Sequence, residues 1–156
     1  MSAPKTRQPI VVTHEGGVQF AAQVRQHRVL VDQPERGGGA DAAPAPIELL
    51  GASLGTCVAL YVQQYCHSRG LSHEGMRVEV QQYGAPNPNR IGLFEVKVVL
   101  PAGLPDEHRE MLEKVARSCP AHGTLTHGAE TKFAFAIGAP STGGGTSAPL
   151  GAYSLV

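Results

Sequence analysis

Three cysteines carry most of the chemistry this 156-residue chain could perform, and their settings differ. The thiolate is the reactive form of cysteine, both as nucleophile and as metal ligand, so each site turns on what would remove the proton. Cys119 precedes Pro120, which cannot continue a hydrogen-bond ladder but suits the first position of a helix. Cys119 is therefore predicted near a helix N-cap, where partial positive charge lowers a thiol pKa. Cys57 lies on an apolar helical stripe, a place where a lone cysteine is either a small buried hydrophobe or a nucleophile. Cys66 follows nine residues later, on the opposite side of the same helix at ~100° per residue, and is expected to stay apart from the other two.

His122 stands three residues after Cys119 in Cys-Pro-Ala-His, a pairing that could activate a thiol or bind zinc. No second Cys-x-x-Cys or His-x-x-x-His pair completes a tetrahedral set, so a metal site is not expected. The remaining histidines, His14, His27, His67, His73, His108 and His127, are scattered and read as surface or turn residues. Gly37 to Gly39 do not open a helix in the Gly-x-x-x-x-Gly-Lys-Ser/Thr form, which argues against a phosphate loop, and no cofactor is expected.

The elements that must position these side chains follow from periodicity. Alternating Val18, Phe20, Ala22 and Val24, then Val29 and Val31, with Gly16-Gly17 as a turn, predict an antiparallel meander. Residues Gln33 to Pro46, rich in Gly, Ala and Pro, read as a loop. Pro46 opens a helix on which Leu50, Leu54, Cys57, Val58, Tyr61, Val62 and Tyr65 form one stripe, ended by Gly70. Strands are predicted at Met76 to Gln82 and Ile91 to Leu100, and a second helix from Pro105-Asp106-Glu107 with Met111, Leu112, Val115 and Ala116 on its apolar face. A short helix after Cys119 and a last strand at Lys132 to Ile137 complete a domain over residues 1–138. Residues 139–156 are a Gly/Ser/Thr-rich tail expected to be mobile.

Strands, a long helix, strands, a helix and a last strand make an α+β arrangement. Zero formal charge with 42% apolar residues disfavours a sequence-independent nucleic-acid binder and a disordered polyelectrolyte. The first residues lack an apolar signal-peptide core and no run approaches ~18 apolar residues, so neither export nor a membrane is expected and the cytoplasm is the predicted compartment. Leu49, Ala52, Ala59 and Leu60 extend the apolar surface of the long helix around much of its circumference. A sheet can cover one side and a second subunit the other, which predicts a homodimer.

Gly38-Gly39, the helix start Pro46-Ile47-Glu48-Leu49-Leu50, Leu54-Gly55-Thr56-Cys57, and Cys119-Pro120-Ala121-His122 with Thr124-Leu125 together resemble the OsmC/Ohr family over roughly residues 10 to 138, with the Cys-Pro-x-His form closest to its OsmC-like branch. The resemblance implies an OsmC-like fold with antiparallel sheets wrapped around a long central helix in an intertwined homodimer. It also implies a thiol peroxidase acting on organic hydroperoxides, with Cys57 as the peroxidatic thiolate, Cys119 as the resolving thiol, and a dithiol reductant of lipoyl or small-thiol kind. Apolar side chains such as Leu54 and Tyr61 suit oily substrates.

Two features depart from the family's enzymes. The glutamate that follows the helix-opening proline in Ohr-like members is replaced by Ile47, and the carboxylate stands one place later as the candidate catalytic residue Glu48. Nine residues from Cys57, Glu48 points to the other side of an unbroken helix, so a favourable charge in the first turn is an equal reading. The early turn also lacks the family's arginine, leaving Arg25, Arg28 and Arg36 as substitutes. Beside the peroxidase, two other classes stay open: a thiol enzyme or redox sensor acting on another electrophile, and a non-catalytic binder of small apolar ligands in the dimer groove.

Overall fold

A computed structural model describes residues 7–137. The tail expected at 139–156 lies outside them. The chain begins as the predicted meander: β1 (Val11–Gly16), β2 (Gln19–Val24) and β3 (His27–Val31) pair antiparallel in the order β1-β2-β3, with Phe20 opposite His14 on one side and Val31 on the other. Its strands pack mainly on one another rather than on the helices. Ala21 and Val31 are buried, while Val12, Phe20 and Leu30 stay exposed.

The loop that follows is organised by a residue the sequence reading passed over. Asp32, 1% exposed, accepts bonds from the backbone N–H of Gln33 (2.8 Å), Ala40 (3.1 Å) and Ala42 (3.0 Å) and from Gln19 Nε2 (3.1 Å). The Ala42 N–H leads the causes that hold its carboxyl below the usual range, overcoming the cost of burial. A Cβ on Gly39 would run into the Gln33 carbonyl, so only glycine lets the loop fold back this closely. An aspartate ahead of a Gly/Pro-rich stretch was the available signal, since Asx side chains bond the backbone that follows them.

The loop delivers the chain to α1 (Pro46–Ser68), 23 residues long. Pro46 occupies the first turn, and Glu48 Oε2 accepts the Ala45 N–H at 2.8 Å. This is half of a capping box, because Ala45 has no side-chain acceptor to return. Leu54, Val58, Val62 and Cys66, spaced at i+4, form the buried stripe. By length and composition α1 could match a membrane span, an outcome the sequence reading did not anticipate, yet this stripe is covered by other elements of the same chain.

Those elements are the antiparallel pair β4 (Arg77–Ala85) and β5 (Arg90–Val99) and the helices α2 (Arg109–Arg117) and α3 (Pro120–His127). The hairpin is longer than predicted, β4 running three residues past Gln82. The second helix begins with a 3-10 turn at Asp106–His108 before becoming α-helical. Leu112 of α2 and the half-buried Val78, Val80, Phe94 and Val98 complete the core.

The last predicted strand is not formed. Residues Lys132 to Ile137 are irregular apart from an isolated bridge at Ala134, and Phe133 and Phe135 are 65% and 77% exposed. The alternating pattern suits a strand, but among the described residues the segment pairs only at that bridge, and its apolar side is left uncovered.

Candidate functional site

The two candidate thiols come to the same core cluster from separate elements. Cys57 is half-buried on α1, between Leu54 and Val58 of the buried stripe. Its depth is set by the close approach of α1 to β4: an added Cβ on Gly55 would sit 2.9 Å from Val80 Cγ2, and one on Gly51 would meet the Gln82 amide, which itself donates to the Ile47 carbonyl at 2.9 Å. A larger residue at Gly55 would make the helix lift or Val80 turn aside, and one at Gly51 would displace the Gln82 amide from its bond to Ile47.

Cys119 comes from the junction of α2 and α3. Ser118 closes α2, its N–H shared between the carbonyls of Lys114 and Val115 and its Oγ donating to Val115 O at 2.7 Å. Pro120 then starts α3, and Cys119 is its extended N-cap, as the sequence predicted. The Cys119 Sγ accepts the His122 N–H at 3.4 Å, sulfur taking the place usually held by a Ser or Asp oxygen.

Cys119 is fully buried in one cluster with Leu54, Val58, Val62, Cys66 and Leu112, and Cys57 packs against that cluster. Cys57 is near enough to Cys119 to weigh on the ionisation of its thiol. Both are free thiols.

The expected acidity of Cys119 is overturned. Burial pushes its thiol above the ordinary range, the His122 N–H pulls it down by less, and the neighbouring Cys57 pushes it up again. Helix-terminal charge is a modest effect, whereas removing a thiolate from water is a large one. Cys66 is wholly buried and its thiol is also pushed up by burial. It shares the core cluster but sits at the far end of the stripe, about 13 Å along the helix from Cys57 at 1.5 Å per residue.

Glu48 is not brought to the thiols within one chain. It stands at the start of α1, about 13 Å along the axis from Cys57, with a carboxylate oxygen engaged by Ala45. Of the candidate arginines, Arg28 is paired with Glu15 at 2.9 Å, and Arg25 and Arg36 occupy exposed turns of the N-terminal sheet and its loop. Among the described residues no cluster of three or more His, Cys, Asp or Glu side chains could hold a metal.

Beside the junction runs a cleft of about 720 Å³ between α1, β5 and α2, lined by Leu54, Val58, Phe94, Leu112, Ala116 and His122 among others. His122 is the residue common to the cleft and the Cys119 turn. Its Nδ1 lies 2.8 Å from the Arg117 carbonyl. His108, read from sequence as a surface residue, is half-buried, with its Nδ1 2.9 Å from the Tyr65 hydroxyl. Nothing in sequence spacing pointed to that 43-residue contact.

Two antiparallel sheets and a long core helix, with Cys57 packed against the buried cluster that contains Cys119, define an α+β protein with two cysteines in one region of its core. The family model for OsmC-like proteins matches residues 37–134, and the chain belongs to that family. No curated protein matches it. Among solved structures, it is similar to a protein of Psychrobacter arcticus 273-4 described as an osmotic stress induced and detoxification response protein (TM-score 0.70, 21% identity, 77% of this chain and 89% of that one). It is also similar to an OsmC-like protein of Mycoplasma pneumoniae (0.66, 18%, 79% and 89%) and to an organic hydroperoxide resistance protein of Elizabethkingia anophelis (0.51, 24%, 78% and 91%). At these identities the likeness is one of fold.

Proposed function

We propose that the chain is a cysteine-dependent thiol peroxidase that reduces organic hydroperoxides. The observation that carries this reading is that Cys57, which solvent reaches, packs against the buried cluster that holds Cys119, which solvent does not reach. In the proposed cycle the Cys57 thiolate attacks the O–O bond, sulfur takes the distal oxygen as Cys57–SOH, and the leaving alkoxide takes up a proton as the alcohol. The Cys119 thiol then condenses with the sulfenic acid, forming the S–S bond and releasing water. A dithiol reductant returns two electrons and two protons by exchange.

Burial suits Cys119 to the second step, because it stays protonated and shielded from oxidant until the sulfenic acid forms beside it. Similarity to an organic hydroperoxide resistance protein and the apolar walls offered by Leu54, Val58 and Tyr61 support an oily substrate. The reading includes a homodimer, supported by the exposure of Leu50 and Leu60 on α1, of Phe20 and Leu30 on the first sheet, and of Phe133 and Phe135.

Stopped-flow consumption of cumene hydroperoxide tests the chemistry. Wild type is expected to lose two thiols per chain and yield a Cys57–Cys119 disulfide by peptide mapping. Cys57→Ser is expected to lose the reaction, and Cys119→Ser to stop at a trappable sulfenic acid. Unchanged consumption by Cys57→Ser would remove the proposal.

A second reading, a thiol enzyme acting on another electrophile, is favoured by Ile47 in the glutamate's place and by the engagement of Glu48 in the helix cap. It predicts Cys57 alkylation without hydroperoxide turnover.

A further inference from the structure

Resting on the assignment of Cys119 as the resolving thiol, we propose that His122 is a positioning residue that fixes the Cys119 sulfur for disulfide exchange. α2 ends at Arg117 and α3 begins at Pro120, so two helix ends with unpaired backbone groups face each other across Ser118 and Cys119. His122 serves both ends. Its backbone N–H donates to Cys119 Sγ at 3.4 Å, and its ring lies 2.8 Å from the Arg117 carbonyl. A carbonyl only accepts, so Nδ1 carries the proton in this bond, and the bond survives whether or not Nε2 is protonated.

The ring thus ties the first turn of α3 to the last residue of α2, closing a loop that contains Cys119. The Gly123 N–H to Cys119 carbonyl bond, 3.0 Å, starts the helix inside that loop. With both tethers made, α3 cannot pivot about the Ser118-Cys119 link, and the His122 N–H stays aimed at the sulfur. A neutral thiol gains little from that N–H. A thiolate, the form Cys119 takes as leaving group when a reductant attacks the disulfide at Cys57, accepts a charge-assisted bond and gains more. His122 also lines the cleft with Leu54 and Val58.

The test uses diamide, which makes the disulfide without any hydroperoxide activity. Its N=N bond takes two electrons and two protons from the two thiols, two S–H bonds break, one S–S bond forms, and a hydrazine is released. Closure by diamide and reopening by dithiothreitol are timed in wild type, His122→Asn, His122→Ala and His122→Phe. The Asn amide nitrogen, like Nδ1, is two bonds from Cβ and can donate to Arg117, so His122→Asn is expected within about twofold of wild type. His122→Ala, and His122→Phe should the alanine variant not fold, are expected to close and reopen about tenfold more slowly, the equivalent of one lost hydrogen bond.

Wild-type rates in both Ala and Phe variants overturn the positioning role. Equal slowing in Asn and Ala also overturns it, because the ring would then act through Nε2. If wild type forms no Cys57–Cys119 disulfide at all, the paired-thiol reading fails instead, and this inference with it.

Discussion

At the scale of single residues the two buried thiols behave against their local sequence. Cys119 has the helix N-terminus that lowers a thiol pKa, yet complete burial outweighs it, and Cys66 has burial alone. Both folded values lie above the ordinary one, so the native state holds these protons when the unfolded chain has released them. Their stabilising contribution is whole below pH 9.0 and is lost as pH rises through the folded values. Urea midpoints are therefore expected to fall from pH 9.0 upward. Cys66→Ala should fall less steeply there, after a constant loss of about 1 kcal/mol for the missing sulfur. Parallel curves for the two proteins would show that Cys66 does not titrate out of the fold. The same residue scale holds what sequence missed: Asp32, and the bond of the already singled-out His122 ring to the Arg117 carbonyl, both of which engage backbone groups that no motif displays.

Among the elements, α1 and β4 set the site, and their spacing is written in two glycines. Gly55→Ala puts a methyl 2.9 Å from Val80 Cγ2, so the helix must lift or the valine turn aside. The overpacking cost exceeds the helix-propensity gain, and a net loss of about 1 kcal/mol is expected. Gly123 in α3 has nothing within 4 Å of an added Cβ, so Gly123→Ala should gain about 0.5–1 kcal/mol. Denaturant unfolding of the pair checks both signs. A stabilised Gly55→Ala would mean that the close helix-to-strand approach is not a packing constraint. Periodicity located α1, β4, β5 and the Cys119 turn, because each carries its own pattern or a proline. It erred at Lys132 to Ile137, where the pattern of a strand is present but only an isolated bridge forms.

For the molecule as a whole, most of the exposed apolar residues lie on α1, on or beside the first sheet and in the final segment, with others on the second sheet, α2 and α3, and the first sheet has little of its own chain to pack on. A second copy offers each of these surfaces a counterpart. Light scattering on a sizing column at micromolar concentration is expected to give twice the chain mass. Phe135→Glu should shift it to monomer with little cost to the isolated chain, since Phe135 is already 77% exposed there. A monomeric wild type would remove the dimer from the proposal.

The order of elements as far as α3, the helix-opening Pro46, the N-cap at Cys119 and the candidacy of both cysteines were determined by sequence alone, because each rests on neighbours within a turn or two of chain. Tertiary structure decided what those neighbours cannot. It brought Cys57 and Cys119 together across 62 residues and raised the Cys119 thiol through burial. It also set Tyr65 against His108, 43 residues further along the chain. Desolvation and long-range contact depend on what covers a residue, and that is settled only when the distant parts of the chain have packed.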